Sequence, residues 1–310
     1  MRPQTAVAAL CLAALTITAC GGGNSGSSAA ADVPVVSGAY GSDPLISLPA
    51  VKPPGTLLMR TLVHGSGPVV KPDSFVMFNV EGKVWAGDRL VIDSYTNRRP
   101  QGLPLAAGLP AWQHLAGQRV GSRVLMVVPP RDGLGPRGNS AINVTGADTL
   151  VFVFDILSAV PANGHATGTA LPYRPAPGMP RVTASAQGPQ ITVPKHTAPP
   201  RHLVTRLLVR GHGPAVVADD TVVTQYTGAV WRNGKVFNSS WVQGSPQAFE
   251  LGKGQVIRGW QRGLAGLPAG SRVLLVIPPS LGYGKRGNPP LVKGKDTLVY
   301  VVDILAAVPG

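Results

Sequence analysis

The sequence predicts an α+β protein built from two similar domains, each a curved antiparallel sheet wrapped around one short helix. The chain has 310 residues, a length typical of about two domains. Three sequence blocks recur in the same order, and most blocks show strand-like alternation. The chain contains 39 glycines and 31 prolines, which favours turns and short elements over long helices.

The recurring blocks indicate an internal duplication of one domain of about 105 residues. Each block of the first copy returns 146 to 149 residues later. The pairs are LVHGSGPVVKPDSFVMFNVEGKVW (62–85) with LLVRGHGPAVVADDTVVTQYTGAVW (207–231), GSRVLMVVPPRDGLGPRGN (121–139) with GSRVLLVIPPSLGYGKRGN (270–288), and DTLVFVFDILSAVP (148–161) with DTLVYVVDILAAVP (296–309). The domains are therefore expected at residues 57–161 and 201–310.

Strands dominate each copy, and the helix is confined to one stretch. In the second copy, residues 222–226, 272–277 and 297–304 are β-branched or apolar runs that predict strands. Residues 258–265 place Trp260 and Leu264 on one helical face, which predicts the single helix.

The N-terminal residues 1–19 have the pattern of a signal peptide that ends at a lipidated cysteine. Arg2 precedes an apolar run at residues 6–19, which is too short to span a bilayer comfortably. The run ends in Ile17-Thr18-Ala19-Cys20, which resembles the bacterial lipobox; the alternative is an ordinary signal peptide that contains a cysteine. The lipobox predicts an extracytoplasmic protein, held to the cell membrane by lipid on Cys20.

Two further segments are predicted to be connectors. Residues 20–56 are rich in Gly, Ser, Ala and Pro, which predicts a flexible tether. Residues 162–200 contain eight prolines and four glycines and lack acidic residues, which predicts an extended linker between the domains. The only other cysteine, Cys11, lies in the signal segment, so the mature chain has no second thiol with which to form a disulfide.

The charge of the chain is strongly basic, and most of the excess lies in the second copy. The formal net charge is +14; residues 201–310 carry 13 basic and 5 acidic residues, against 10 and 7 in residues 57–161. Because a lipoprotein outside the membrane meets little nucleic acid, we expect no nucleic-acid partner. Anionic lipid or cell-wall polymer is the expected counter-surface, and simple solubility is the alternative.

Common catalytic motifs are missing from the sequence. It contains no Walker loop, GxSxG elbow or HExxH motif, and its six histidines are scattered. The sequence therefore predicts neither a metal nor a cofactor. The second copy instead concentrates aromatic residues, which could line an apolar pocket.

Three segments of the second copy match the motifs of one known family. TQYTGAVWRNGKVFNSSW (224–241) is similar to a Tyr-Thr-Gly, Gly-Lys and Phe-Asp-Ser-Ser pattern. FELGKGQVIRGWQRGLAGLPAGSR (249–272) is similar to a Val-Ile-x-Gly-Trp core, and IPPSLGYGKRGN (277–288) to a Pro-x-x-x-x-Tyr-Gly loop. In these motifs the second copy resembles the FKBP-type peptidyl-prolyl cis-trans isomerases over residues 203–308, and the first copy resembles the family only through the duplication.

The resemblance implies an isomerase that rotates X-Pro bonds in an apolar pocket between the sheet and the helix. It implies proline-containing polypeptide substrates and a macrolide as a further ligand. The catalytic residues that it implies are Tyr226, Phe237, Asn238 and Tyr283. The substrate-binding residues that it implies are Phe249, Val256, Ile257, Trp260, Leu291, Val292 and Tyr300.

The second copy departs from the family pattern at three places. Asn238 stands where the family has Asp, and Tyr300 stands where it usually has Phe. Gln247 replaces a frequent aromatic residue. These changes leave open a non-catalytic chaperone or binding module at the cell envelope as the alternative to an isomerase for exported proteins.

The first copy loses most of the pocket residues. Tyr226 is aligned with Val80, Phe237 with Ile92, and Tyr283 with Leu134, whereas Trp260 keeps its counterpart Trp112. This alignment also gives Asp93 the acidic position that Asn238 has lost. We therefore expect the first copy to fold without being catalytic.

A third hypothesis concerns charge near the pocket mouth. Lys285, Arg286, Lys293 and Lys295 lie in predicted loops of the second copy, where they could attract acidic peptides or hold the domain against anionic polymer.

Overall fold

The computed structural model describes residues 32–185, 187–252 and 254–310. The predicted signal peptide and Cys20 lie outside the described residues, as does the beginning of the predicted tether. Within the described part of the chain, no helix is long and apolar enough to cross a membrane.

The first domain is built on a six-stranded antiparallel sheet in the order β3-β7-β8-β4-β5, with β6 also paired to β4. A separate hairpin, β1–β2, precedes it. The strands are β1 (Val35–Ser37), β2 (Leu45–Ser47), β3 (Leu58–Val63), β4 (Ser74–Val84), β5 (Arg89–Asp93), β6 (Gln101–Pro104), β7 (Arg123–Val128) and β8 (Leu150–Pro161).

The second domain repeats this topology in a seven-stranded sheet. Its order is β14-β13-β17-β16-β12-β9, with β15 also paired to β13, and the hairpin β10–β11 stands apart. The elements are β9 (Thr169–Ala170), β10 (Arg181–Thr183), β11 (Gln190–Thr192), β12 (Val204–Arg210), β13 (Thr221–Val230), β14 (Val236–Ser239), α1 (Ser240–Gln243), β15 (Gln247–Glu250), α2 (Arg258–Leu264), β16 (Arg272–Ile277) and β17 (Leu298–Val308). Two antiparallel sheets with few short helices confirm the predicted fold class.

Helix α2 covers the inner face of the second sheet at the predicted place. Val273, Leu275 and Ile277 of β16 pack with Trp260 and Leu264 in one buried cluster. The helix approaches the strand so closely that a Cβ on Gly259 would lie 2.4 Å from Ile277 Cγ2. Glycine at position 259 therefore sets the depth at which the helix, and Trp260 with it, can sit.

The first domain has no α-helix at the matching position, contrary to the prediction of one short helix per copy. Two 3-10 turns, Leu105–Ala107 and Pro110–Leu115, stand there instead. Leu109, the residue before a proline, is extended with φ −59° and ψ 150°, and Ile257 before α2 has nearly the same angles, φ −63° and ψ 148°. The two segments therefore begin alike and differ in the turns that follow, which are 3-10 in the first domain and α-helical in the second.

The predicted tether is packed onto the first domain in its described part. Val33 and Ile46 are buried with Trp85 and Leu125 on the outer face of the first sheet. The indole N–H of Trp85 donates to the carbonyl oxygen of Val51 at 2.9 Å. Residues 33–51 therefore form an outer hairpin around β1–β2, not a flexible tether.

The predicted linker behaves in the same way. Val182 and Ile191 of β10–β11 pack against a buried cluster that includes Trp231 and Leu274. The indole N–H of Trp231 donates to the carbonyl oxygen of Thr197 at 3.0 Å. This repeats the Trp85 contact, so each domain carries its own outer hairpin and the second is not an extended linker.

A buried ion pair fixes each outer segment to its sheet. Arg123 and Asp155 form a bidentate pair with distances of 2.6 and 2.7 Å, and Asp155 also accepts the N–H of Gly41 at 2.7 Å. In the second domain, Arg272 and Asp303 form the same pair, and Asp303 accepts the N–H of Ala166 at 2.8 Å. Since unpaired buried charges are costly, these contacts hold the outer segments in place.

The two domains meet through an apolar cluster. Phe75 and Met77 of β4 are buried against Val223 of β13 and Val308 of β17. Ala248 of β15 packs at the edge of the same cluster. This contact brings the first domain beside the strand that forms one wall of the candidate site.

Candidate active site

A cavity of about 260 Å³ opens between α2 and the inner face of the second sheet. We call it the aromatic cavity. Its lining residues are Tyr226, Asn238, Phe249, Gly254, Gln255, Val256, Ile257, Trp260, Tyr283 and Tyr300. Eight of the eleven residues predicted for the site therefore meet in one place.

Trp260 is the centre of the cavity wall. Its indole lies edge-on to Tyr226 at 5.3 Å, to Phe249 at 5.4 Å and to Tyr300 at 5.3 Å between ring centroids. These residues come from α2, β13, β15 and β17. Edge-to-face ring pairs hold each other in fixed orientations, so the cavity has rigid apolar walls.

Backbone geometry makes room for Tyr300. Gly228 of β13 lies directly opposite Tyr300 of β17 in the strand register. A Cβ on Gly228 would lie 2.6 Å from Cε1 of the Tyr300 ring. The glycine of the Tyr-Thr-Gly motif therefore allows this ring to lie across the neighbouring strand.

Two phenol groups of the cavity, those of Tyr226 and Tyr300, stay protonated. Burial raises the pKa of Tyr226, whereas the hydrogen bond with the Asn238 side chain opposes this shift. Burial, and then the neighbouring Tyr283, raise the pKa of Tyr300 well above its ordinary value. Both phenols therefore remain hydrogen-bond donors at physiological pH.

Ser240 fixes the strand that carries Tyr226, and sequence reasoning gave it no role. The N–H of Tyr226 donates to Oγ of Ser240 at 2.8 Å, and that hydroxyl donates to Oε1 of Gln225. The second serine of the Phe-Asn-Ser-Ser segment was the available signal. The structure makes it a support of the cavity.

Ile257 lies at the junction of cavity and helix. It lines the cavity and is the N-cap residue of α2. The N–H of an N-cap residue has no acceptor within its own helix, so this donor is not used by α2 itself. Val256 lies beside it on the same rim.

Sequence reasoning missed two lining residues. Gly254 and Gln255 precede Val256 in the loop between β15 and α2. Their position next to the predicted rim was the only signal, because neither residue type indicates a pocket by itself.

Three predicted residues are not among those that line the cavity. Phe237 packs edge-on against Tyr300, with 5.6 Å between the ring centroids. Leu291 is 52% exposed, and Val292 is 1% exposed within the core. Mutual backbone hydrogen bonds between Asn288 and Val292 close this loop on itself, and Val292 packs in the same buried cluster as Trp260 and Tyr300.

The matching region of the first domain is filled by phenylalanine. Trp112 lies edge-on to Phe78 at 5.6 Å, to Phe152 at 5.5 Å and to Phe154 at 5.3 Å between ring centroids. Phe152 matches Tyr300, but Phe78 and Phe154 stand where the second domain has Thr224 and Val302. The two phenylalanines place more apolar volume around Trp112 than Thr224 and Val302 provide at the matching positions of the second domain.

The strand register corrects one alignment made from the sequence. The hydroxyl of Ser94 bonds to the backbone of Val80 as that of Ser240 bonds to the backbone of Tyr226. Counting back from these serines, Ile92 matches Asn238, and Asp93 matches Ser239 rather than the family's acidic position. Both hairpins carry their bulge at the matching place, and the register pairs Gly82 with Ile92 as it pairs Gly228 with Asn238.

Asp93 has a local role in the first domain. Burial opposes ionisation, but hydrogen bonds from Thr96 and from the N–H of Tyr95 lower the pKa of Asp93 overall. Its carboxylate therefore caps a turn.

Among the described residues, no group of three or more His, Cys, Asp or Glu side chains could hold a metal ion.

Comparison with known proteins places the second domain among prolyl isomerases. The family model described as FKBP-type peptidyl-prolyl cis-trans isomerase matches residues 213–305. An FK506-binding protein of Streptomyces anulatus is 37% identical over 123 residues, covering 39% of this chain and 98% of that protein.

Two further proteins are similar to part of this chain. The peptidyl-prolyl cis-trans isomerase FPR2 of Saccharomyces cerevisiae is 46% identical over 86 residues, which cover 28% of this chain and 64% of the yeast protein. The crystal structure of FkpA from Escherichia coli aligns at 35% identity with a TM-score of 0.33, covering 43% of this chain and 53% of that one.

Proposed function

The chain belongs to the FKBP-type peptidyl-prolyl cis-trans isomerases, and we propose that its isomerase activity resides in the second domain alone. The observation that carries this proposal is the aromatic cavity, which the second domain keeps open and the first fills with Phe78 and Phe154. The family match at residues 213–305 covers the same domain.

The chemistry requires no group that forms a bond to the substrate. Resonance keeps the peptide bond planar, with a rotational barrier of about 18–20 kcal/mol. An unaided X-Pro bond consequently isomerises in tens to hundreds of seconds. The twisted transition state has lost this resonance and is less polar at its carbonyl group, so an apolar surrounding favours it over the planar ground state.

The cavity residues divide this task between exclusion of water and hydrogen bonding. Trp260, Phe249 and Tyr300 form apolar walls around the prolyl ring. Ile257 and Tyr283 both line the cavity. In this proposal the N–H of Ile257 donates to a substrate carbonyl, and the hydroxyl of Tyr283 donates to the substrate backbone. Each tenfold acceleration requires about 1.4 kcal/mol of differential stabilisation, which one donor together with desolvation can provide.

Asn238 replaces the charge that the family carries at this position with a neutral amide. It lines the cavity and hydrogen-bonds with Tyr226, so it orients that hydroxyl without adding a negative charge. We assign Asn238 and Tyr226 to the positioning of substrate. Of the three predicted residues that do not line the cavity, we assign Phe237 to support of the wall through its contact with Tyr300, and Val292 to the core beneath it. Leu291 is exposed, so we assign it to contact with the bound polypeptide.

The substrates proposed are X-Pro segments of exported polypeptides, and an FK506-type macrolide is proposed as a second ligand of the same cavity.

The sequence at Cys20 supports a lipid-anchored location outside the membrane. Replacement of Cys20 by Ala should release the protein from the membrane fraction. A variant that stays membrane-bound would contradict the anchor and leave the isomerase assignment unaffected.

A protease-coupled isomerisation assay on the chain without its signal segment tests the activity. We expect acceleration of X-Pro isomerisation, competed away by an FK506-type macrolide. A folded protein that does not accelerate the reaction would overturn the assignment and favour the binding-module alternative, which the neutral Asn238 supports. Aggregation of an unfolded client, followed with and without macrolide, would then show whether binding uses the same cavity.

A further inference from the structure

A second depression, which we call the interdomain cleft, adjoins the aromatic cavity. It has a volume of about 210 Å³. The first domain contributes Arg99, Pro100, Gln101 and Gly102, and the second contributes Thr221, Ala248, Glu250 and Gln255. Gln255 also lines the aromatic cavity, so the two spaces meet at this side chain.

Strand β15 is the wall between the two spaces. Successive side chains of a strand point to opposite faces. Phe249 accordingly lines the aromatic cavity, whereas its neighbours Ala248 and Glu250 line the interdomain cleft. A polypeptide that leaves the cavity over the end of β15 at Gln255 enters the cleft directly.

Polar contacts connect the first domain to the loop at this end of β15. The guanidinium of Arg99 lies 3.5 Å from the Glu250 carboxylate, and the Gln255 side-chain amide donates to the same carboxylate oxygen at 3.2 Å. The N–H of Glu250 in turn donates to Oε1 of Gln255 at 3.3 Å. Gln255 is therefore held at the meeting point of cavity and cleft.

The cleft is a persistent feature because the domains beneath it are docked. Met77 and Val223, one from each domain, are fully buried in the interdomain cluster. Above this floor, the Arg99 side chain remains 53% exposed and Gln101 is exposed. The cleft thus has a buried apolar base and exposed polar side chains along its sides. These side chains can hydrogen-bond to the backbone of an extended polypeptide.

We propose that the interdomain cleft is a substrate subsite, which takes the polypeptide segment next to the proline that occupies the aromatic cavity. The proposal rests on the proposed function, since the occupant is the same client chain. Continuity through Gln255 identifies this occupant. The first domain, with its own cavity region filled, then supplies one wall of the binding site of the second.

Two substrates of different length test the subsite. A tetrapeptide with one X-Pro bond leaves little chain beyond the residues next to the aromatic cavity, whereas an unfolded protein whose refolding is limited by prolyl isomerisation continues into the interdomain cleft. Gln101→Trp places a bulky side chain in the cleft, and Gln190→Trp is the matched control on the exposed side of β11. We expect Gln101→Trp to lower kcat/KM about tenfold for the protein and to leave the tetrapeptide unchanged.

Other results have distinct meanings. Unchanged activity on both substrates would overturn the subsite and leave the isomerase assignment intact. Equal loss on both substrates would also overturn it, because it would show a disturbed cavity. Failure of the unsubstituted protein on both substrates would overturn the proposed function and the subsite together.

A chemical measurement covers the case in which the tryptophan variant folds poorly. Both cysteines of the chain lie in its first 20 residues, so Gln101→Cys introduces a single thiol beyond them. Peptides carry an X-Pro bond and, at successive positions beside it, a cysteine activated as its thiopyridyl mixed disulfide. The thiol of Gln101→Cys should displace thiopyridine from these peptides by thiol–disulfide exchange, and macrolide should prevent the reaction. Equal trapping by Gln190→Cys, or trapping unaffected by macrolide, would overturn the subsite.

Discussion

The two central tryptophans offer a matched test of where catalysis takes place. Trp260 and Trp112 are 4% and 9% exposed, and each lies edge-on to three aromatic rings. Neither indole N–H has a hydrogen-bond partner within the described residues. Trp260→Leu and Trp112→Leu therefore remove nearly the same packing from the two domains.

The expected loss of stability is similar for both substitutions. Ring pairs of this geometry contribute about 0.5–1.5 kcal/mol each beyond their buried area, so three pairs amount to about 1.5–4.5 kcal/mol. Only Trp260 borders the aromatic cavity. We expect Trp260→Leu to lower kcat/KM about tenfold to hundredfold, equivalent to about 1.4–2.8 kcal/mol, and Trp112→Leu to leave it unchanged.

The assay is protease-coupled isomerisation of an X-Pro tetrapeptide, at a temperature where urea unfolding and circular dichroism show both variants folded. Activities are compared per folded molecule. An equal loss of kcat/KM in both variants would refute the assignment of catalysis to the second domain. Full activity of Trp260→Leu would refute the role of the aromatic wall.

Three further predictions follow from ionisation and packing. Tyr226 and Tyr300 have pKa values raised by burial, so kcat/KM should be flat from about pH 6 to 9; a step within that range would contradict neutral hydroxyl donors. Burial raises the pKa of Glu81 in the folded protein from 4.5 to about 7. The protonated carboxyl therefore favours the folded state: this contribution to the free energy of unfolding is complete below the pKa of the unfolded chain and is lost as the pH rises through about 7. Glu81→Gln should therefore flatten the dependence of Tm on pH between about 5 and 8, and an unchanged slope would argue against this linkage. A chain that begins at residue 201 should aggregate in size-exclusion chromatography, whereas one that begins at 163 should remain soluble, because residues 163–200 cover the outer face of the second sheet; equal solubility would contradict this role.

Local patterns predicted the sheets and the position of α2, whereas the residues of the cavity were implied by the resemblance to the isomerase family. Strand alternation and the spacing of Trp260 and Leu264 are local patterns that tertiary contacts reinforce here. The aromatic residues of the cavity converge because three of them lie on strands that pair with β13 or form it.

The outer hairpins and the filled region around Trp112 were not predicted, because they depend on a few long-range side-chain contacts and not on a local sequence pattern. The outer hairpins bury only a few apolar residues, such as Ile46 and Ile191, among prolines and glycines, so their composition resembled that of linkers. The filling of the first domain by Phe78 and Phe154 depends on which side chains face Trp112. The orientation of Val292 depends on hydrogen bonds within its own loop.

The strand order determines when each sheet can form as the chain is synthesised. In each domain the last strand in sequence lies in the interior of the sheet: β8 lies between β7 and β4, and β17 lies between β16 and β13. The first sheet can close once residue 161 has emerged, because all its strands precede that point. The second sheet lacks the strand between β16 and β13 until residue 308 has emerged. A nascent chain, or one clipped before β17, therefore has a complete first sheet beside a second sheet without its central strand.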